Sequence, residues 1–162
     1  MPGLKQWTGA AWSDVALGHA EKALVWDGTE FVQVWPVGGG IMRQRMTKVG
    51  SQTTAANPIP GWASDPAFPA VIVANKLSVV GAGMVTITAS IGRSGNGGGS
   101  AAMYVNNVSV GTATWPTFDN STRTITVTRE VADSDLVHLS VSSINVAGPV
   151  TAANTWVDVT PV

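Results

Sequence analysis

One histidine in the C-terminal half lies close to residues that could support hydrolysis. His138 alternates with Ser140 and Ser142, and Asp133 and Asp135 precede it. A serine nucleophile needs a histidine base and a carboxylate that orients the base. However, no Gly-x-Ser-x-Gly elbow accompanies these residues, and a polar turn followed by a solvated strand face explains them more simply. We therefore predict that the chain is not an enzyme and has no catalytic residues.

Two further patterns resemble ligand sites only in part. Gly92–Ser100 is rich in glycine, but it lacks the Gly-Lys-Ser/Thr ending of a phosphate-binding loop, and no helix is predicted after it. Asp133 and Asp135 could contribute to a calcium site, although turn chemistry accounts for them equally well. The chain has no cysteine, which excludes thiolate metal sites and disulfides. We predict no metal site and no cofactor.

Charge is sparse in this sequence and unevenly distributed. Charged residues make up 12% of the 162 residues, and the net charge is −1. Residues 94–118 carry no charge, and residues 136–157 carry none apart from His138. Such a balance gives no basis for binding nucleic acid or an anionic membrane, and no stretch has the roughly 18 apolar residues that span a bilayer. Faces so poor in charge predict a homo-oligomer, whose subunits cover one another.

The elements that must position any site are β-strands. Apolar and Ser/Thr residues alternate from 71 onward, most clearly in 84–91, 122–131 and 136–144. Shorter strand candidates fill the intervals between Gly, Asn, Asp and Pro. This pattern predicts an all-β protein whose residues 71–162 form an antiparallel β-sandwich of jelly-roll or immunoglobulin-like topology. The residues predicted to face inward are Val85, Ile87, Ala89, Ile91, Ile125, Val127, Val137, Leu139 and Val141.

Residues 37–70 differ in composition from the sandwich. The segment opens with Gly38–Gly40, and it later contains four prolines, Pro58, Pro60, Pro66 and Pro69. The glycines give flexibility, and the prolines keep the chain extended. Residues 41–48 could form a short strand or an extended arm. Because thirty weakly structured residues are unusual inside a compact domain, we predict a Gly/Pro-rich linker or an arm that lies along a neighbouring subunit.

The first 36 residues contain an internal repeat with a period of 19 residues. Trp7-Thr8-Gly9-Ala10-Ala11-Trp12 is matched by Trp26-Asp27-Gly28-Thr29-Glu30-Phe31. Thr-Gly and Asp-Gly favour tight turns, so residues 1–36 are predicted to form two β-hairpins with an aromatic pair across each. The aromatic side chains are predicted to form the hairpin core or a binding or assembly interface, with a sugar-stacking platform as the alternative. The candidate interface residues are Trp7, Trp12, Trp26, Phe31 and Trp35.

This hairpin repeat resembles one that is common in tail and fibre proteins of phages infecting actinobacteria. The Thr/Val-rich sandwich ending in Trp156-Val157-Asp158-Val159 is similar to their C-terminal modules. The resemblance implies a bacteriophage virion structural protein, either a minor tail protein or a small fibre or spike, that docks on other virion subunits through its N-terminal region. The N-terminus lacks the pattern of a signal peptide, and the absence of cysteine fits assembly in a reducing host cytoplasm.

Two alternative functions stay open at this point. A capsid decoration protein would use the same N-terminal docking and the same outward display of the sandwich. A carbohydrate-binding module would recognise a host cell-wall glycan through the grouped tryptophans and an uncharged surface rich in Asn, Ser and Thr.

Overall fold

The structure is a computed structural model that describes residues 40–142, 144 and 148–162, residue 29, and the backbone of 5–7, 12–14, 23–26 and 31–35. The elements within these residues are all β-strands. The chain divides into two compact units, Met1–Gly38 and Gly39–Val162. Within the described part of the chain, no helix is long and apolar enough to cross a membrane.

The N-terminal unit contains two separate two-stranded antiparallel sheets. One sheet pairs β1 (Lys5–Trp7) with β2 (Trp12–Asp14). The other pairs β3 (Ala23–Trp26) with β4 (Phe31–Trp35).

The C-terminal unit consists of two five-stranded antiparallel sheets, which confirms the predicted all-β sandwich. The first sheet contains β5 (Gln44–Lys48), β6 (Trp62–Ser64), β9 (Gly83–Ile91), β12 (Arg123–Val131) and β14 (Trp156–Pro161). The second contains β7 (Val71–Val73), β8 (Lys76–Ser78), β10 (Gly99–Val105), β11 (Val108–Trp115) and β13 (Leu136–Ser142). Their spatial orders are β12-β9-β14-β5-β6 and β11-β10-β13-β8-β7.

The alternation of residue types determines which face of each strand enters the core. Successive side chains of a strand point to opposite faces, so the aliphatic residues of β9 and β13 lie between the two sheets while their Ser and Thr neighbours face outward. Of the residues predicted to face inward, all are buried except Val127, which is partly buried. The hydrophobic effect on these side chains is what holds the two sheets together.

The arm predicted over 37–70 is not confirmed, because the structure places much of this segment in the sandwich. β5 lies within the first sheet, between β14 and β6, and both Met46 and Ile59 are fully buried. β6 lies between Pro60 and Pro66 at the edge of the sheet, where proline is tolerated because no further strand needs its missing amide. The compact C-terminal unit begins at Gly39, about thirty residues earlier than the sandwich boundary predicted from the spacing of strands.

Candidate interaction surfaces

The outward face of the first sheet carries a regular array of threonines, called here the threonine face. Thr126 and Thr128 of β12 lie opposite Thr88 and Thr86 of β9. The hydroxyl oxygens of Thr86 and Thr128 are 3.0 Å apart, and those of Thr88 and Thr126 are 3.4 Å apart. The array presents methyl and hydroxyl groups without formal charge. Its members are Thr86, Thr88, Thr124, Thr126, Thr128 and Thr160.

A buried carboxylate joins two arginines on the same face. Arg43 donates from Nη2 to Oδ2 of Asp158 at 2.6 Å, and its Nε lies 3.1 Å from both carboxylate oxygens. Arg45 donates to Oδ2 from Nε at 3.2 Å and from Nη2 at 2.7 Å. The Asp158 side chain is only 5% exposed, whereas those of Arg43 and Arg45 are 38% and 23% exposed. Burial alone would raise the pKa of Asp158, but the hydrogen bonds from the two guanidinium groups lower it below its ordinary value.

Aromatic rings cover the two arginines and extend this cluster. The guanidinium of Arg43 lies 3.8 Å from the ring centroid of Phe68. That of Arg45 lies 4.6 Å from the ring of Trp156 and 5.5 Å from Phe68. These are cation–π distances, and Asp65 adds a weaker ion pair with Arg45 at 3.9 Å. The cluster pairs two arginines with two carboxylates, so it adds no net charge to the threonine face.

The second sheet buries the histidine that the sequence suggests as a catalytic base. His138 faces outward from β13 but is only 2% exposed, so the expectation of a solvated strand face is wrong at this residue. The ring of Tyr104, its cross-strand neighbour, stacks on it at a centroid distance of 4.9 Å. Nε2 of His138 donates a hydrogen bond to Oδ1 of Asn57 at 2.9 Å. Burial, with a smaller contribution from the charge of Lys76, lowers the pKa of His138 to about 4.

The low pKa of His138 makes the stability of the protein sensitive to pH. In the unfolded chain, His138 titrates near its ordinary pKa of 6.5. Above that pH neither the folded nor the unfolded state binds the proton, so the free energy of unfolding is not reduced by protonation of His138. As the pH falls from 6.5 towards 4, only the unfolded state gains the proton, and stability is lost. We expect the wild type to lose about 2 kcal/mol more than His138→Gln between pH 7.5 and pH 5. Urea unfolding at both pH values measures this difference, and equal losses would contradict it.

The other residues of the candidate catalytic group are bonded elsewhere. Oδ1 of Asp133 accepts from the amide of Gly81, and Asp135 accepts from Nδ2 of Asn106 and from the amide of Ala132. These bonds fit the turn chemistry considered for the two aspartates. Among the described residues, no cluster of three or more His, Cys, Asp or Glu side chains could hold a metal ion.

A shallow concavity of about 480 Å³ lies beside the buried histidine on the outward face of the second sheet. Its lining is uncharged and rich in hydroxyl groups. Tyr104 and Asn57 border it, so both neighbours of His138 are also part of its wall.

The glycine-rich segment after β9 wraps around a buried arginine. Nη2 of Arg93 donates to the carbonyl oxygens of Gly98, at 3.2 Å, and Gly148. The guanidinium also lies 5.1 Å from the ring of Trp115, and burial lowers its pKa. A side chain at Gly148 would overlap Arg93 and the backbone of Gly97. Because these glycines have no side chain, the buried Arg93 fits between them and hydrogen-bonds to the loops that contain Gly98 and Gly148.

The interface residues predicted from the sequence lie in the N-terminal unit. The backbone register places Trp7 opposite Trp12, Trp26 opposite Phe31, and Trp35 opposite Ala23. Their side chains lie outside the described residues, so their role in an interface stays a prediction. The cluster around Asp158 was not predicted from the sequence. The spacing of Arg43 and Arg45, which places both on one face of a strand, is the signal that could have indicated it.

The fold of the sandwich is shared with solved structures of very different sequence. No family model matches the chain, and no curated protein matches it. Eiger TNF from S. frugiperda is similar over 75% of this chain and 92% of its own, with a TM-score of 0.60 and 7% identity. Murine APRIL is similar over 75% of this chain and 99% of its own, with a TM-score of 0.56 and 5% identity. The sandwich is therefore a TNF-like jelly-roll, and the immunoglobulin-like alternative is not retained.

These similarities also correct the function inferred from the hairpin repeat. The expectation of a bacteriophage virion protein, whether minor tail protein, fibre, spike or decoration protein, is contradicted, because the solved structures that share the fold are Eiger TNF and APRIL. The same solved structures do not support the carbohydrate-binding alternative, which is not retained. At identities of 5% and 7%, what these structures establish for the chain is its fold.

Proposed function

We propose that the chain is a non-enzymatic binding module that works as a homo-oligomer, with the threonine face as the contact between subunits. The observation that supports this most is the composition of that face. Subunit interfaces are enriched in aromatic residues, Met and Arg, and are depleted in Lys and Glu. The described part of this outward face combines Trp156, Arg43 and Arg45 with the exposed Met84. It contains no lysine, and its exposed Glu130 lies at one end of β12, opposite Met84.

The geometry of the face also favours contact with a flat partner. The threonine side chains stand on adjacent antiparallel strands in register, so they form a surface without a deep cleft. Because the arginines are already paired with Asp158 and Asp65, covering them does not leave an uncompensated charge. An uncompensated charge would be costly to bury.

A charge placed halfway along β12, the edge strand of the threonine face, is expected to prevent this assembly. Thr126 is exposed, so Thr126→Arg is compatible with the fold of one subunit. In the oligomer the same arginine would be buried without a partner, at a cost of several kcal/mol. We expect light scattering after size exclusion to give the mass of the monomer, 16.7 kDa, for this variant.

The matched control is Thr112→Arg. Thr112 is also an exposed threonine, but it faces outward from β11 in the second sheet. This variant is expected to keep the mass of the unmodified protein. If both variants dissociate, or if both keep the parent mass, the subunit contact is not the threonine face.

A further inference from the structure

Part of one edge of β13 is covered by an irregular segment instead of a strand. β8 pairs with only two residues of β13, and residues 56–59, called here the strap, cover the next part of that edge. Ala56 exchanges two backbone hydrogen bonds with Val141, at 3.0 and 2.9 Å. The amide of Ile59 donates to the carbonyl of Leu139 at 2.9 Å. The strap is thus held to β13 by three backbone hydrogen bonds in this region.

The strap also makes a side-chain contact with a titratable group. The exposed Asn57 accepts the hydrogen bond from Nε2 of His138. The other ring nitrogen, Nδ1, is buried and has no hydrogen-bond partner among the described residues. The titratable groups that face the ring are Tyr104 from β10, stacked on it, and Lys76 from β8. Among the residues that the structure describes, no carboxylate near His138 would accept a second N–H or balance a positive charge.

We propose that Asn57 and His138 form an acid-sensitive latch, which holds the strap on β13 while the imidazole is neutral and raises the population of its opened form when the imidazole is protonated. Protonation would place an N–H at Nδ1 with no acceptor and a second positive charge near Lys76. Opening the strap admits water to the ring and removes both penalties. Because Asn57 borders the concavity of the second sheet, release also widens this concavity and exposes the backbone edge of β13. The latch does not depend on the proposed oligomer.

Hydrogen exchange at the strap amides tests the latch directly. For the wild type, we expect the protection factors of Ala56 and Ile59, corrected for intrinsic exchange, to fall by about 30-fold between pH 7.5 and pH 5. At pH 5 the strap amides should exchange at least about tenfold faster than the amide of Ile87 in β9, because a local opening needs less free energy than global unfolding. Equal protection of strap and β9 would mean that acid unfolds the whole domain, which would overturn the latch.

Two variants separate the latch from a general effect of acid. His138→Gln keeps a hydrogen-bond donor for Asn57 but does not titrate, so the strap protection should change by less than about threefold. Asn57→Asp places a carboxylate against the ring, which stabilises the protonated form, so acid should tighten the strap instead of releasing it. A wild-type loss of protection that persists in His138→Gln, or in Asn57→Asp, would overturn the proposal. No loss of protection in the wild type would do the same.

Discussion

Replacing Ile59 with alanine is expected to lower the free energy of unfolding by about 4 kcal/mol. The side chain of Ile59 is fully buried in the core of the sandwich, so the substitution loses its transfer free energy and leaves a cavity. Urea unfolding followed by circular dichroism at pH 7.5 measures the change. The dependence of the free energy on urea concentration should stay the same, because the surface exposed on unfolding is nearly unchanged.

The control for this substitution comes from the same segment of the chain. Val49 is 58% exposed, and Val49→Ala is expected to change stability by less than about 0.5 kcal/mol. If Ile59→Ala costs no more than Val49→Ala, residues around 59 are not part of the core. The Gly/Pro-rich arm predicted from the sequence would then be the better description of this segment.

Asp158→Ala is expected to destabilise the protein by about 3 kcal/mol. The substitution removes a nearly buried carboxylate that accepts hydrogen bonds from both Arg43 and Arg45. Two guanidinium groups then lie side by side, and in the described part of the chain the nearby anion that remains is Asp65, 3.9 Å from Arg45. Removing one partner of a buried ion pair is costly for this reason, and the partial exposure of the arginines places the expected loss near the lower end of the usual range.

Asp65→Ala is the matched control for the loss of a carboxylate from the same cluster. Its ion pair with Arg45 is longer than that of Asp158, so a loss below about 1 kcal/mol is expected from urea unfolding. Because the pKa of Asp158 is lowered in the folded state, its contribution is present above pH 4 and is lost as the pH falls through that pKa. Equal losses for the two alanine variants would contradict the central position of Asp158.

The sandwich strands could be predicted where one face of a strand is aliphatic and the other is Ser or Thr. β9, β12 and β13 follow this rule over most of their lengths, and their boundaries differ from the predicted ones by one or two residues. The rule works because the side chains of a strand alternate between core and solvent.

For residues 41–48 a short strand is one of the two predictions, and β5 lies within them, but its place in the core could not be predicted because it directs polar residues inward. Gln44 and Lys48 are buried on both sides of Met46. The amide of Gln44 donates to the carbonyls of Met42 and Val80 and accepts from the amide of Val80. The ammonium of Lys48 donates to two backbone carbonyls of the following turn. These hydrogen-bond partners lie outside the strand, so the sequence of β5 alone does not reveal them. The polar residues of β5 therefore indicate an exposed arm, although β5 is a core strand.

The candidate surfaces were less predictable than the strands. The threonines of β9 and β12 could be assigned to the outward face from their alternation. The link between Arg43 and Asp158 spans 115 residues, and only the pairing of β5 with β14 brings them together. The burial of His138 depends similarly on Tyr104 from a neighbouring strand and on Asn57 from the strap. Local sequence can place Arg43 and Arg45 on one face of a strand, but it does not identify their partner, because that partner follows from the order of strands in the sheet.

The mass of the unmodified chain in solution tests the proposed homo-oligomer most directly. Light scattering after size exclusion should be recorded at total protein concentrations from about 1 to 50 µM, since assembly follows mass action. The proposed contact through the threonine face predicts one discrete species whose mass is a whole-number multiple, two or more, of the monomer mass of 16.7 kDa. A mass of 16.7 kDa at every concentration would contradict the assignment of the threonine face as a contact between copies of this chain.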